Sequence, residues 1–229
     1  MSDARGQILG NLRRSLKRDT LPADRQAAIE RRLADHPPGP IPARGQLAPP
    51  ERVALFVKMA EDAACTVVRV AGPDAVPAAV ADYLARENLP AKLRVASDPA
   101  VAGLPWSMRP LLEITTGRSD GHDEVSLTPA VAGIAETGTL MLTSGAETPT
   151  TLNFLPETHI VMLRVGQVVG ALEQAWTELR RRHGSGTMPR TVNLITGPSR
   201  SADIEQTLQM GAHGPRRLHI ILVDGEANP

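Results

Sequence analysis

One cysteine, five aromatic side chains and no long apolar run mark this 229-residue chain, and each scarcity excludes something. Cys65 is the only thiol. It cannot form an intrachain disulfide, and this chain alone cannot build a cysteine-rich zinc or iron–sulfur site. Its setting, Ala63-Ala64-Cys65-Thr66-Val67-Val68, is that of a buried, inert thiol. Phe56, Tyr83, Trp106, Phe154 and Trp176 are all the aromatics. They are too few to stack successive bases, so no nucleic-acid partner is expected. No apolar run approaches the ~18 residues of a membrane span, and the N-terminus is polar. The reading is a cytoplasmic protein. Neither a G-x-G-x-x-G turn opening a βαβ unit nor a G-x-x-x-x-G-K-[ST] loop occurs, so no nucleotide cofactor is expected. His122-Asp123-Glu124 has ligand-type side chains but no partner at metal-binding spacing, so it reads as a solvated loop and no metal is expected.

What is present is a globular balance: 41% hydrophobic and 22% charged residues, enough for one large core. The formal charge is zero but unevenly spread. Residues 1–46 hold nine Lys/Arg and five Asp/Glu, leaving a net acidic remainder. A basic arm on an acidic body fits self-association or docking on an acidic partner, and equally a solvated helical arm. Ile8, Leu9, Leu12 and Leu16 follow helical spacing, and a second short helix is predicted over Asp24 to Ala34. Prolines 37, 38, 40, 42, 49 and 50 then block helix and central strand alike. Residues 1–50 are read as a helical arm and Pro-rich linker, and 51–229 as one α/β domain.

In the body, Arg52–Asp62 and Pro77–Glu87 read as helices, and Gln167–Arg181 carries an apolar stripe of helical period. Strands are predicted at Thr66–Val70, Lys92–Val95, Leu111–Thr115, Val131–Ala135, Thr139–Thr143, His159–Val165, Thr191–Thr196 and Leu218–Val223. This alternation predicts a mixed, largely parallel sheet flanked by helices, with a hairpin at Thr137-Gly138.

Three stretches carry candidate chemistry. Thr196-Gly197-Pro198-Ser199-Arg200-Ser201-Ala202-Asp203 reads as a strand end, a glycine turn and a helix start. That geometry would aim backbone N–H groups at an anion, with Ser199 and Arg200 adding donors. It also fits a plain capped turn, and Asp203 could lock Arg200 or act as a base. In Gly211-Ala212-His213-Gly214-Pro215, His213 could transfer a proton or simply bond the backbone, with Gly214 beside it in the ligand-binding turn. In Gly133-Ile134-Ala135-Glu136-Thr137-Gly138-Thr139, a carboxylate sits at a tight turn between apolar runs. Glu136 could lock the turn, act as a general base or attack as a nucleophile. Thr137 and Thr139 would support the turn through hydroxyls, and Gly138 would supply a positive φ.

Together "GIAETGTLML", "LPETHIVML" and "NLITGPSRSADIEQTLQMGAHGP" resemble the lactate-utilization protein C family, which carries the LUD domain. The resemblance implies a fold of the NagB/RpiA/CoA transferase-like type. It implies a cluster-free subunit of a system that oxidises L-lactate to pyruvate beside iron–sulfur partner subunits. The ligand would be a small anion: lactate, pyruvate, phosphate or a CoA ester. A homo-oligomer is compatible. A stand-alone enzyme or sensor for a phosphorylated or CoA-linked molecule, working through Glu136, is the alternative. The family's R-x-L-S-L-L-P is replaced by Thr150-Thr151-Leu152-Asn153-Phe154-Leu155-Pro156, with Thr150 for Arg and Asn153 for Ser.

Overall fold

The computed structural model describes residues 3–17, 21–184, 186–204, 207–211 and 213–225, with the backbone alone for 201–204 and 207–210. The chain forms two compact units, residues 1–40 and 41–229. The first holds helices α1 (Ala4–Ser15) and α2 (Ala23–Asp35). Asp3 caps α1 by accepting the Gly6 N–H at 2.9 Å, and Arg13 and Arg14 sit in its last turn, where the helix dipole favours cations.

The second unit opens with α3 (Pro49–Asp62), started by prolines whose missing N–H groups cost a helix N-terminus nothing. Then come β1 (Thr66–Val70), α4 (Val76–Arg86), β2 (Lys92–Val95), the single turn α5 (Pro99–Ala102), β3 (Glu113–Thr116) and β4 (Val125–Pro129). The chain passes straight into β5 (Ala132–Ile134) and β6 (Thr139–Thr143), then α6 (Thr151–Phe154), β7 (Thr158–Arg164) and β8 (Val168–Val169). It ends with α7 (Leu172–His183), β9 (Val192–Ile195), β10 (Arg200–Ile204), β11 (Thr207–Met210) and β12 (Arg217–Val223).

Six strands form a wholly parallel sheet in the order β1-β12-β7-β4-β2-β3. A second sheet, β8-β5-β6-β9, holds the predicted hairpin, with Ile134 opposite Thr139. β10 and β11 pair as a separate antiparallel ribbon. The side-chain period of two assigns the core. Ile160 and Met162 of β7, with Ile221 and Val223 of β12, pack under Val76, Val80 and Leu84 of α4. Their neighbours Val161, Leu163, Ile220 and Leu222 face Val53, Phe56 and Ala60 of α3 and Leu140 and Leu142 of the second sheet. The far side of that sheet, including Ile134 and Met141, is covered by Ala175 and Leu179 of α7.

Three sequence expectations need correction. β4 was not foreseen, although it sits near the sheet centre. Ser126 and Thr128 make it look half polar, yet both are buried and bonded: Ser126 Oγ donates to the Leu152 carbonyl at 2.6 Å, and Thr128 Oγ1 lies 2.8 Å from His159 Nε2. The late helix starts five residues later than its apolar stripe implied, because Val168 and Val169 pair with β5. The segment after Gly197 is a hairpin, not a helix start. Its backbone is zipped to the Gly211–Pro215 stretch: the Ser199 N–H donates to the Pro215 carbonyl (2.8 Å), and the Gly211 N–H donates to the Ser199 carbonyl (2.9 Å).

Candidate functional site

That zipper brings two of the three motif stretches together. The Ser199 hydroxyl accepts the His213 N–H at 3.2 Å. Gly197, Pro198, Ser199, Arg200, His213 and Gly214 line one cavity of about 410 Å³. The hairpin removes the helix N-terminus on which the anion reading relied, and the Ser199 amide is occupied. Side-chain donors are left as the groups able to meet an anion here. Arg200 is anchored by Nη2, which donates to the Ala63 carbonyl at 3.0 Å, capping the C-terminal end of α3 with a cation. Its other guanidinium donors are not used by that bond. Asp203 falls on β10, and its side chain lies outside the described residues.

Two lining residues were missed by the motif reading. Asn153, at the position where the family motif has Ser, is 3% exposed and reaches the cavity from α6. His159 enters from the start of β7, where Leu218 and Ser126 flank it on the neighbouring strands. It is fully buried, and burial pushes its pKa down to about 3. The ring is therefore neutral at pH 7, with Nδ1 lacking a partner among the described residues. The signal was present in Glu157-Thr158-His159-Ile160: a histidine opening an otherwise apolar strand.

Glu136 lies elsewhere. It is 7% exposed and outside the lining of this cavity. Oε1 accepts the Leu172 N–H at 2.9 Å, so the carboxylate sits on the N-terminus of the 12-residue α7, where a negative charge is stabilised. Its own N–H donates to the Gly170 carbonyl (3.0 Å). Glu136→Ala is expected to lower stability by about 1–2 kcal/mol, the usual loss of a capping side chain. Glu136→Gln, which keeps the acceptor oxygen, should lose less. Chemical denaturation of both variants checks the order, and an equal loss would show that the charge alone matters.

The third stretch still reaches the cavity indirectly. Thr137 and Thr139 hydroxyls lie 2.7 Å apart, and Thr139 is 2.6 Å from the hydroxyl of Thr196, which lines the cavity. Gly138 has φ +66°, and a Cβ there would overlap the backbone of Met59 and Ala60. Gly197 approaches the same helix end, against the Ala63 carbonyl. The last turn of α3 thus supports both glycine turns and Arg200. Cys65, just beyond it, is buried, and desolvation raises its thiol to about 11, so it is not a nucleophile at pH 7.

Residues 53–223 match the LUD domain. The chain belongs to the LUD domain family. Lactate utilization protein C of Geobacillus thermodenitrificans is 41% identical over 91 residues, 39% of this chain and 38% of that protein. The Bacillus subtilis protein of the same name is 38% identical over 100 residues, 43% of this chain and 42% of its own length. An uncharacterized protein of Neisseria meningitidis serogroup B is 44% identical over 94 residues, 41% and 40%. The chain thus spans about two fifths of the length of these relatives. A solved DUF162 family protein from Deinococcus radiodurans shares the fold, with a TM-score of 0.55 at 23% identity over 77% of this chain and 99% of that one. In this LUD domain no described helix is long and apolar enough to cross a membrane.

Proposed function

We propose that this chain is a cluster-free subunit of an L-lactate oxidation system and binds a small carboxylate, lactate or pyruvate, in the Ser199–His213 cavity. Iron–sulfur partner subunits would carry the electrons, since the single cysteine cannot hold a cluster. The pathway is supported by the relatives named Lactate utilization protein C. The carboxylate is supported by one observation. The described lining of the cavity holds Arg200, Ser199, Asn153 and two histidines, and no Asp or Glu. An anion entering it meets donors from several directions and, among the described lining residues, no like charge. His159, kept neutral by burial, offers polarity without titrating near pH 7.

The test is calorimetric titration of the chain with lactate, pyruvate and phosphate. Arg200→Ala should weaken carboxylate binding on the order of 10- to 100-fold, because charge-assisted bonds are the strong ones here. It should also cost about 1 kcal/mol of stability through the lost bond to Ala63. Arg200→Lys should restore only part of the affinity, lacking the planar fork. His213→Ala should weaken binding without the stability loss. Unchanged affinity in Arg200→Ala would reduce Arg200 to a helix cap and place the ligand elsewhere.

A further inference from the structure

A larger cavity, about 750 Å³, lies at the opposite end of the parallel sheet. Its position follows from the strand order. From β2 the chain moves outward to β3. From β4 it moves the other way, toward β7 and then β12. Adjacent parallel strands β2 and β4 therefore send their following segments in opposite directions. After β2 the chain turns into α5, whose Val101 packs in the core under α4. After β4 it steps into β5, which belongs to the second sheet on the other face. Such a divergence leaves a crevice at the carboxyl ends of the strands, the place where open α/β sheets bind ligands. Asp98 and Ala100 after β2, and Ala130 and Val131 after β4, line the observed cavity.

The side chains there have a definite character. Arg164, at the carboxyl end of β7, is half-buried and belongs to no ion pair among the described residues. Gln167 fixes its backbone: Oε1 accepts the Arg164 N–H at 2.9 Å, while Nε2 donates to the Ala130 carbonyl at 3.0 Å. That one amide ties the ends of β4 and β7 together and holds Arg164 at the crevice. Arg181 and Arg182 line the facing wall, both bonded to Glu178 through their Nε atoms, at 2.9 and 2.8 Å. Two carboxylates also line the cleft. Asp98 is occupied, accepting the Ala100 N–H at 2.8 Å, and Glu147 is exposed. Ser144, whose Oγ accepts the Thr191 N–H, keeps its hydroxyl proton for a ligand.

We propose that this switch-point crevice is a second binding site, for a phosphorylated small molecule whose phosphate oxygens are held by Arg164 and Arg182. Guanidinium groups match phosphate oxygens in planar pairs, and the volume is that of a nucleotide-sized ligand rather than a three-carbon acid. The proposal stands independently of the Ser199–His213 cavity.

Calorimetric titration of the full chain with inorganic phosphate, pyrophosphate and ADP tests it. Pyrophosphate or ADP should bind. Arg164→Gln and Arg182→Gln should each weaken that binding on the order of tenfold or more, with circular dichroism unchanged. Arg200→Ala should leave it intact, and Arg164→Gln should leave lactate and pyruvate binding intact. Should Arg164→Gln fail to fold, Arg182→Gln decides. The proposal is overturned if none of the three probes binds, if binding survives both arginine substitutions in folded protein, or if Arg200→Ala abolishes it.

Discussion

Gly138→Ala is expected to lower stability by at least about 3 kcal/mol. A left-handed backbone costs an L-residue roughly 1–2 kcal/mol. Here φ is +66°, and the added methyl would also overlap the backbone of Met59 and Ala60. Helix backbone cannot step aside as a flexible side chain can, so β5–β6 or α3 must shift and the contact of Phe56 and Ala60 with Leu140 loosens. The control is Gly184→Ala. That glycine has φ +84° but nothing within 4 Å of the added carbon. With ψ at 157° it sits in a region L-residues rarely adopt, so it should lose that conformational cost alone, roughly 1–3 kcal/mol, and no overlap cost. Urea unfolding of the two variants separates the effects, and equal losses would show that close approach to α3 contributes nothing.

Acid should destabilise the protein well before ordinary carboxylates protonate. His159 is pushed down to about 3 by burial. His219 is pushed down to about 4 by burial and by the nearby Arg86 charge, although its bond to Thr66 opposes this. Its ring stacks on Tyr83 with centroids 3.9 Å apart. In the unfolded chain both rings take up protons near pH 6.5, whereas in the folded chain neither does. The unfolded state therefore binds more protons as pH falls, and stability present above pH 6.5 is lost on the way to the folded values. Each ring contributes about 1.4 kcal/mol per pH unit, so two rings cost about 5 kcal/mol between pH 6.5 and 4.5. That is a large share of the roughly 5–15 kcal/mol typical of a domain. Denaturant midpoints across this window measure the slope. The double variant His159→Gln, His219→Gln should flatten it. A slope unaltered by the double substitution would assign the acid loss to other groups.

The fold was most legible in short runs whose apolar residues are consecutive or alternate along the chain. β1, β2 and β6 lie where Thr66–Val70, Lys92–Val95 and Thr139–Thr143 were expected. It was least legible where a polar residue is satisfied by a distant partner. Ser126 and Thr128 hid β4 because Leu152 and His159, which complete their hydrogen bonds, are remote in sequence. Glu136 looked like chemistry because its partner, the Leu172 amide, is 36 residues away. The 200–210 segment looked like a helix start because serine and aspartate favour caps. Its backbone instead pairs within itself, β10 against β11, with Arg200 opposite Met210. Gathering Ser199, Arg200, His213 and Gly214 in one place was within reach of motif reading. Adding His159 required knowing that β7 runs beside β12.

The placement of β12 also sets an order of events. It lies inside the sheet, between β1 and β7, and β1 touches the sheet through β12 alone. A nascent chain that has released residues 66–164 can pair β2, β3, β4 and β7, but β1 has nowhere to dock and β7 presents a bare, apolar edge. Closing a loop of some 150 residues is slow and brings no contact until its ends meet. Until residues 217–223 emerge, α4 and α3 therefore have only part of a sheet to cover. The half-built molecule is the form most in need of a chaperone, and β12, the last of this sheet's strands in chain order, is the one that locks it.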